Sequence, residues 1–173
     1  MTIITPELLS KIRENYSLNW HGTHGIIHWY RVWENGILLA EQEGVNVKVV
    51  QLFSVFHDSQ RLNEGKDHNH GKRGAELAVK LREYLPLNDD EFSLLNTACT
   101  FHTSTRTHYE ITVQACFDSD RLDLGRVGIT PDALFLCTPM AKMSENIDWA
   151  LRRSLENNKL PENPFGIDGY IEE

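Results

Sequence analysis

The chain has 173 residues, of which 40% are hydrophobic, and a formal net charge of −8 at pH 7. This length and apolar content suffice for one domain with a sizeable core. The acidic balance argues against a protein that holds nucleic acid on an extended basic surface, because that mode of binding depends on clustered Lys and Arg. No apolar run approaches the roughly 20 residues that cross a bilayer, so we expect no membrane partner.

Two further features predict a cytoplasmic location. The first residues lack a basic stretch before an apolar run, so no export signal is indicated. The three cysteines, Cys99, Cys116 and Cys137, are odd in number and stand among apolar residues. This pattern is typical of reduced thiols in a core rather than of a disulfide framework.

Helix signals dominate the start of the chain. Thr5 and Pro6 predict a helix to about residue 15, because a hydroxyl cap precedes a proline suited to the first helical position. A second helix is predicted from near His24 towards Glu43. We expect it to break near Gly36, since glycine costs about 1 kcal/mol relative to alanine in a helix interior.

The segment 47–57 fits strand alternation and helical spacing equally, so the local pattern leaves its state open. Beyond it, the apolar periodicity and the cap and proline signals predict a series of further helices. One helix is expected over 71–85. The next begins at the acidic cap residues Asp89 and Asp90 and ends near His102, which faces inward. Two more are expected over 109 to about 124 and from Thr138-Pro139 to about 157.

Imidazole and carboxylate groups recur on separate segments of the chain. His57 and Asp58 directly follow the apolar run LFSVF, where burying a carboxylate is costly without a cation or hydrogen-bond partners. His28 and Asp120 bring the same two functional groups from other segments, and together these groups suit first-row divalent ions. In the alternative interpretation, Asp58 only caps a helix or pairs with Arg61.

The motifs around these residues are similar to those of a known superfamily. They are His-Gly-x5-His-Trp-x-Arg-Val at 21–32, His-Asp-Ser-x-Arg at 57–61, His-Gly-x-Arg-Gly-Ala at 70–75 and Asp-Ser-Asp-Arg-Leu-Asp at 118–123. Across roughly residues 20 to 140, the chain resembles the HD phosphohydrolase superfamily, and in particular small bacterial HD-domain proteins.

The resemblance implies an all-α fold, a single-domain helical bundle that takes in residues 1–173. The core is expected at about 20–157, and the residues at the end of the chain predict an irregular tail at about 158–173. The resemblance also favours a helix for the ambiguous segment 47–57.

The ligands of one or two divalent ions are also implied by the resemblance. The first ion would be held by His28, His57, Asp58 and Asp120. The second would be held by Asp58, as a bridge, with His70 and His102. The metal is one of Fe, Mn, Ni, Mg or Co, which the sequence cannot rank because the same donors follow availability as much as affinity.

Two ligand positions have competitors. His68 competes with His70, and Asp118 competes with Asp120, although the matching motifs favour His70 and Asp120. We then expect Asp118 to support a ligand without touching the ion, and Arg121 or Arg126 to neutralise the carboxylates that do not touch the ion. For the other three histidines a surface or supporting role is expected: His21, His24 and His108.

The activity implied by the resemblance is metal-dependent hydrolysis of a small phosphorylated substrate, such as a nucleotide. Asp58 would take part as the bridging ligand, and Glu64 is a candidate proton shuttle because it lies in the loop after the dyad. Basic residues near the dyad are candidates for binding phosphate oxygens, although such residues are usually solvated: Arg61, Lys66, Lys72 and Arg73. Two alternatives are an HD-type di-iron oxygenase, which uses the same ligand set, and a non-catalytic sensor of metal or nucleotide.

Overall fold

The computed structural model describes residues 2–156, 159–168 and 170, and these residues form seven α-helices and no strand. The predicted all-α class is therefore confirmed. The helices are α1 (Pro6–Glu14), α2 (Ile26–Leu39), α3 (Val47–Phe56), α4 (His70–Lys80), α5 (Asp89–Phe101), α6 (Ile111–Arg121) and α7 (Ser144–Glu156). Short 3₁₀ turns occur at Arg82–Tyr84, Leu124–Val127, Ala133–Phe135 and Pro164–Gly166. Within the described residues, no helix combines the length and the apolarity needed to cross a membrane.

The central helix of the bundle is α3, which packs against α2, α4, α5 and α6. Asn46 caps it by accepting hydrogen bonds from the amides of Lys48 at 3.0 Å and Val49 at 3.2 Å. Every side chain from Val49 to Phe56 is buried. A helix that is buried on all sides has no polar face, which is why the pattern of this segment resembled a strand as much as a helix. The expected helix is confirmed.

The hydrophobic core extends beyond both limits predicted for it. Leu8 and Ile12 of α1 are fully buried, and α1 packs against α3. Thr5 caps α1 as the sequence predicted, accepting a hydrogen bond from the Leu8 amide at 3.1 Å. In the predicted irregular tail, Phe165 is also fully buried. The tail residues 157, 158, 169 and 171–173 lie outside the described residues.

The predicted break of α2 near Gly36 is wrong, because the helix runs through this glycine to Leu39. A methyl group at Gly36 would lie 3.3 Å from Cβ of Val50 in α3. The glycine therefore serves the close packing of α2 against α3, and this packing outweighs its low helix propensity.

Three other helix boundaries differ from the predicted ones. The N-cap of α5 is Asn88 rather than Asp89 or Asp90, which lie in the first turn. The hydroxyl of Thr138 caps only a turn, accepting from the Ala141 amide at 3.2 Å, and α7 starts later, at Ser144. The helix predicted over 71–85 ends at Lys80 and is followed by a 3₁₀ turn.

Glu91 joins the start of α5 to the start of α3. Its carboxylate accepts hydrogen bonds from Lys48 Nζ at 2.7 Å, Asn46 Nδ2 at 3.0 Å and the Asn88 amide at 2.9 Å. The bond from Lys48, followed by that from Asn46, lowers the pKa of Glu91 from 4.5 to about 2. Because the folded state favours the ionised form, this stabilisation is present above pH 4.5 and is lost as the pH falls towards 2.

We expect Glu91→Gln to lower the free energy of unfolding at pH 7 by about 1 to 2 kcal/mol, because it weakens a capping box and charge-assisted hydrogen bonds. Urea titrations at several pH values measure this loss. The difference from wild type should shrink between about pH 4.5 and pH 2. Asp90→Asn, which removes an exposed carboxylate of the same first turn, is the matched control. An equal loss in both variants would contradict the prediction.

Candidate metal centre

Six side chains from five helices or their ends converge inside the bundle. They form two neighbouring groups, and within each group the potential ligand atoms all lie within 4.8 Å of one another. The first group is His28 of α2, His57 at the end of α3 and Asp120 of α6. The second group is Asp58 after α3, His70 at the start of α4 and His102 at the end of α5.

Asp58 lies between the two groups and offers one carboxylate oxygen to each. Its Oδ2 atom is 3.5 Å from Nε2 of His28 and 3.8 Å from Nε2 of His57. Its Oδ1 atom is 3.1 Å from Nε2 of His70 and 4.0 Å from Nε2 of His102. This is the arrangement that a bridging carboxylate requires.

The Nδ1 atoms of the four histidines all have a hydrogen-bond acceptor. His28 donates to Oδ2 of Asp123 at 2.7 Å, and His57 donates to the carbonyl groups of Phe53 and Ser54 in its own helix. His70 and His102 likewise donate to main-chain carbonyl groups, at 2.5 and 2.8 Å. In the neutral ring this places the proton on Nδ1 and a lone pair on Nε2. Four Nε2 lone pairs therefore face the centre of the cluster.

These lone pairs lie close enough to repel one another. The two Nε2 atoms of His28 and His57 are 3.1 Å apart, and those of His70 and His102 are 3.0 Å apart. Oδ1 of Asp120 is buried and has no hydrogen-bond partner among the described residues. A divalent cation would resolve both problems, and imidazole nitrogen with carboxylate oxygen is a donor set that such ions accept. The cluster could therefore hold a metal ion.

The protonation state also fits a cation. Burial lowers the pKa of His57 to about 3 and lowers that of His102, so both rings are neutral at pH 7. Burial alone would raise the pKa of Asp58, but the neighbouring imidazoles of His57, His28 and His70 hold it well below its usual range. The pKa of Asp120 is lowered to about 2, since His57 and a nearby arginine outweigh its burial. Metal binding requires such deprotonated ligands. It would also displace the proton of His70, whose pKa is raised because its contact with Asp58 outweighs its burial.

Two glycines of the His70 motif bring α4 close enough to complete the cluster. A Cβ atom at Gly71 would collide with the carbonyl group of Cys99 and would lie 2.8 Å from Cε1 of His102. A Cβ atom at Gly74 would collide with the carbonyl group of Phe56, at the end of α3. The missing side chains let α4 contact the ends of α3 and α5, where the other histidines of the cluster lie.

Asp123 and Arg31 support the cluster, a role that was not predicted for either residue. Asp123 is 1% exposed and accepts the hydrogen bond of His28, while Arg31 Nε donates to its other oxygen at 2.6 Å. A signal was present in the motifs. Asp123 follows Asp120 by three residues and Arg31 follows His28 by three, the spacing that places side chains on one face of a helix.

The supporting role expected for Asp118 is filled by Asp123, and the structure gives Asp118 other partners. Its carboxylate accepts hydrogen bonds from the amides of Cys137 at 2.8 Å and Thr138 at 2.7 Å. Two residues along a helix point to nearly opposite sides, so Asp118 faces away from the ligands when Asp120 faces them. Arg121 donates to the carbonyl group of Thr105 at 2.9 Å and to others, which joins α6 to the neighbouring loops.

Of the four predicted phosphate-binding residues, Arg61 lies at the cluster and the other three do not. Arg61 is buried beside the second group, with Nη1 at 3.4 Å from Oδ1 of Asp58 and 3.5 Å from both ring nitrogens of His70. The other three lie farther out. Lys66 and Lys72 are exposed, and Arg73 donates to Asp67 and to the carbonyl group of Gln60.

The structure also shows where His68, which competed with His70 as a ligand, and Glu64, the proposed proton shuttle, are located. His68 is exposed, whereas His70 is buried in the cluster. Glu64 lies at the surface and forms a hydrogen bond with Nδ1 of His24, a buried histidine whose pKa is lowered chiefly by burial. A His–Glu pair therefore lies in the loop region next to the cluster.

Comparisons with protein-family models, with curated proteins and with solved structures found no match to this chain. The helical bundle and its cluster of histidines and aspartates are compatible with the resemblance to HD domains.

Proposed function

We propose that the protein is a metal-dependent phosphohydrolase of the HD type, which acts on a small phosphorylated substrate. The observation that supports this proposal is the convergence of four Nε2 lone pairs around Asp58, whose two oxygens face different groups. We further propose that each group holds one ion and that Asp58 bridges the two.

Divalent ions at such a site would lower the pKa of a bound water towards neutrality and would offset charge on phosphoryl oxygens. The residues of the chain supply the rest. The two aspartates and four histidines would hold the ions, and the hydrogen bonds that the Nδ1 atoms donate keep the rings oriented. Substrate approaches past Asp120, which at 18% is the most exposed side chain of its group. Arg61, beside Asp58, binds a phosphoryl oxygen.

The test uses the full-length protein loaded separately with Mn²⁺, Fe²⁺, Ni²⁺, Mg²⁺ or Co²⁺, and p-nitrophenyl phosphate as a generic phosphoester. At least one metal should support turnover. His57→Ala and Asp58→Ala should each lower kcat/KM by about 100-fold or more, because they remove an ion ligand. The exposed His68→Ala is the control for loss of an imidazole. Activity that survives both ligand variants would rule the proposal out.

Glu64 is proposed to hold and transfer a proton during the reaction, and its contact with His24 positions its carboxylate. We expect Glu64→Gln to lower kcat by about 100-fold, as is typical when an acid–base group is removed. The metal content should stay at the wild-type level, which elemental analysis checks. Unchanged turnover in a metal-loaded variant would exclude this role.

A di-iron oxygenase is the second candidate, because His70 and His102 complete a second group that shares Asp58 with the first. This function predicts oxygen consumption that requires iron and that Mg²⁺ does not support. A phosphohydrolase predicts phosphate release without oxygen. Stabilisation by metal or nucleotide without turnover under any metal would instead indicate a sensor.

A further inference from the structure

A cavity of about 290 Å³ opens beside the first metal group. It lies at the start of α2, next to α7 and to the 3₁₀ turn Leu124–Val127. This volume is at the small end of ligand pockets, which span roughly 300 to 1,000 Å³. The lining includes His21, Thr23, Ile27, His28, Arg31 and Arg126. Since His28 belongs to the first metal group, the cavity adjoins the candidate metal centre.

The cavity is basic in a chain whose net charge is −8. The described residues that line it include two arginines and two histidines but no Asp or Glu. The guanidinium of Arg31 is already engaged, because it donates to both oxygens of Asp123. Of the two arginines, Arg126 is therefore the one that an incoming anion could reach.

The guanidinium of Arg126 is held in place by main-chain oxygens. Nε donates to the carbonyl group of Thr23 at 3.2 Å and Nη1 to that of Asp123 at 3.0 Å. Nη2 lies 3.8 Å from Oδ1 of Asp120 and Nη1 lies 3.8 Å from Oδ2 of Asp123, and both distances are too long for a hydrogen bond. The side chain is only 9% exposed, so its charge acts in a partly desolvated setting. A fixed guanidinium thus stands next to a proposed ion ligand.

We infer that Arg126 binds the phosphoryl group of the substrate next to the first ion and that the cavity holds the leaving group. This inference rests on the proposed function. An ion held by Asp120 would take up the charge of that carboxylate, and the guanidinium would then face the phosphoryl oxygens. With Arg61 beside the second group and Arg126 beside the first, a positive side chain flanks each ion.

The substrate class follows from this charge and from the size of the cavity. Two arginines and two cations match the double negative charge of a phosphomonoester better than the single charge of a diester. A cavity of about 290 Å³ accepts one small organic substituent. The substrate is therefore a small phosphomonoester.

Inorganic phosphate is the probe for the test, measured by calorimetry on the metal-loaded full chain. Arg126→Gln should weaken phosphate binding by about 10- to 100-fold, the usual effect of losing a hydrogen bond to a charged group. Arg126→Lys should recover part of the loss. The exposed Arg152→Gln in α7 makes the same charge change away from the cavity and should bind phosphate as wild type does. Elemental analysis should find the same metal content in all four proteins.

Replacing Arg126 could disturb folding, so a second pair of variants tests the cavity and leaves Arg126 and its contacts unchanged. Thr23 is exposed, and the contact that it makes with Arg126 is through its main-chain oxygen. Thr23→Glu places a carboxylate at the cavity and Thr23→Gln a neutral group of the same length. Phosphate should bind about tenfold more weakly to the Glu variant than to the Gln variant.

Phenyl phosphate and diphenyl phosphate separate the substrate classes. Wild type should prefer the monoester, and Arg126→Gln should raise KM for the monoester more than it lowers kcat. The inference would be overturned if wild type turns over substrate, Arg126→Gln binds phosphate as tightly as wild type, and the two Thr23 variants bind it equally. The proposed function would still stand in that case. A preference for the diester would overturn the substrate class. Phosphate binding that depends on Arg126, with no turnover under any metal, would support the anion site and refute the hydrolase.

Discussion

Asp58→Ala is expected to remove both proposed ions, whereas His70→Ala is expected to remove only one. The reason is geometric, because Asp58 offers Oδ2 to the first group and Oδ1 to the second. His70 belongs to the second group alone. Elemental analysis of Mn²⁺-loaded, desalted protein should give about two ions per chain for wild type, about one for His70→Ala and fewer than one for Asp58→Ala.

The thermal stability should follow the same order. Metal that binds only the folded state stabilises it by about 2.7 kcal/mol at 100 times the Kd. Melting with and without Mn²⁺ should show a large rise in Tm for wild type, a smaller rise for His70→Ala and none for Asp58→Ala. His68→Ala is the control, since His68 is exposed beside the cluster and should keep the full rise. A full complement of ions in Asp58→Ala would contradict the bridging role.

The sequence predicted the helical class and the cluster better than it predicted local boundaries. The cluster was predictable because each candidate ligand lies in or beside a short motif whose neighbouring residues also match. His70 was separated from His68 on this ground, and the structure buries the first and exposes the second. Asp123 could also have been predicted, since it follows Asp120 by three residues and the helix was expected to run to about residue 124.

The wrong helix boundaries have a common physical cause. Tertiary contacts decide where these helices start, continue or end. Gly36 should weaken a helix, yet packing against Val50 keeps α2 continuous. Asn88 caps α5 because Glu91 completes a capping box and also contacts Lys48 of another helix. The hydroxyl of Thr138 donates a hydrogen bond to Asp118 of α6 and caps a turn instead of a helix. The capping box of Asn88 and Glu91 is a local pattern, but the contacts with Val50, Lys48 and Asp118 cannot be read from the neighbouring sequence.

Gly71→Ala is expected to cause a large loss of stability and to disturb the second metal group. In an isolated helix this change would stabilise by about 1 kcal/mol, because alanine is the better helix former. Here the new methyl group would collide with the carbonyl oxygen of Cys99, which is main chain and cannot rotate away. Overpacking of this kind costs typically 1 to 3 kcal/mol and sometimes more, so the collision outweighs the gain.

To relieve the collision, α4 has to move away from α5, which separates His70 from His102. We therefore expect Gly71→Ala to lose about 2 kcal/mol or more in urea unfolding and to bind about one ion instead of two. Gly65→Ala is the matched control, because a Cβ atom there would lie 3.4 Å from Oδ1 of Asn63, an ordinary contact in an exposed loop. Its stability should stay within about 0.5 kcal/mol of wild type. If Gly71→Ala kept both its stability and its second ion, the close approach of the two helices would not be what assembles this half of the site.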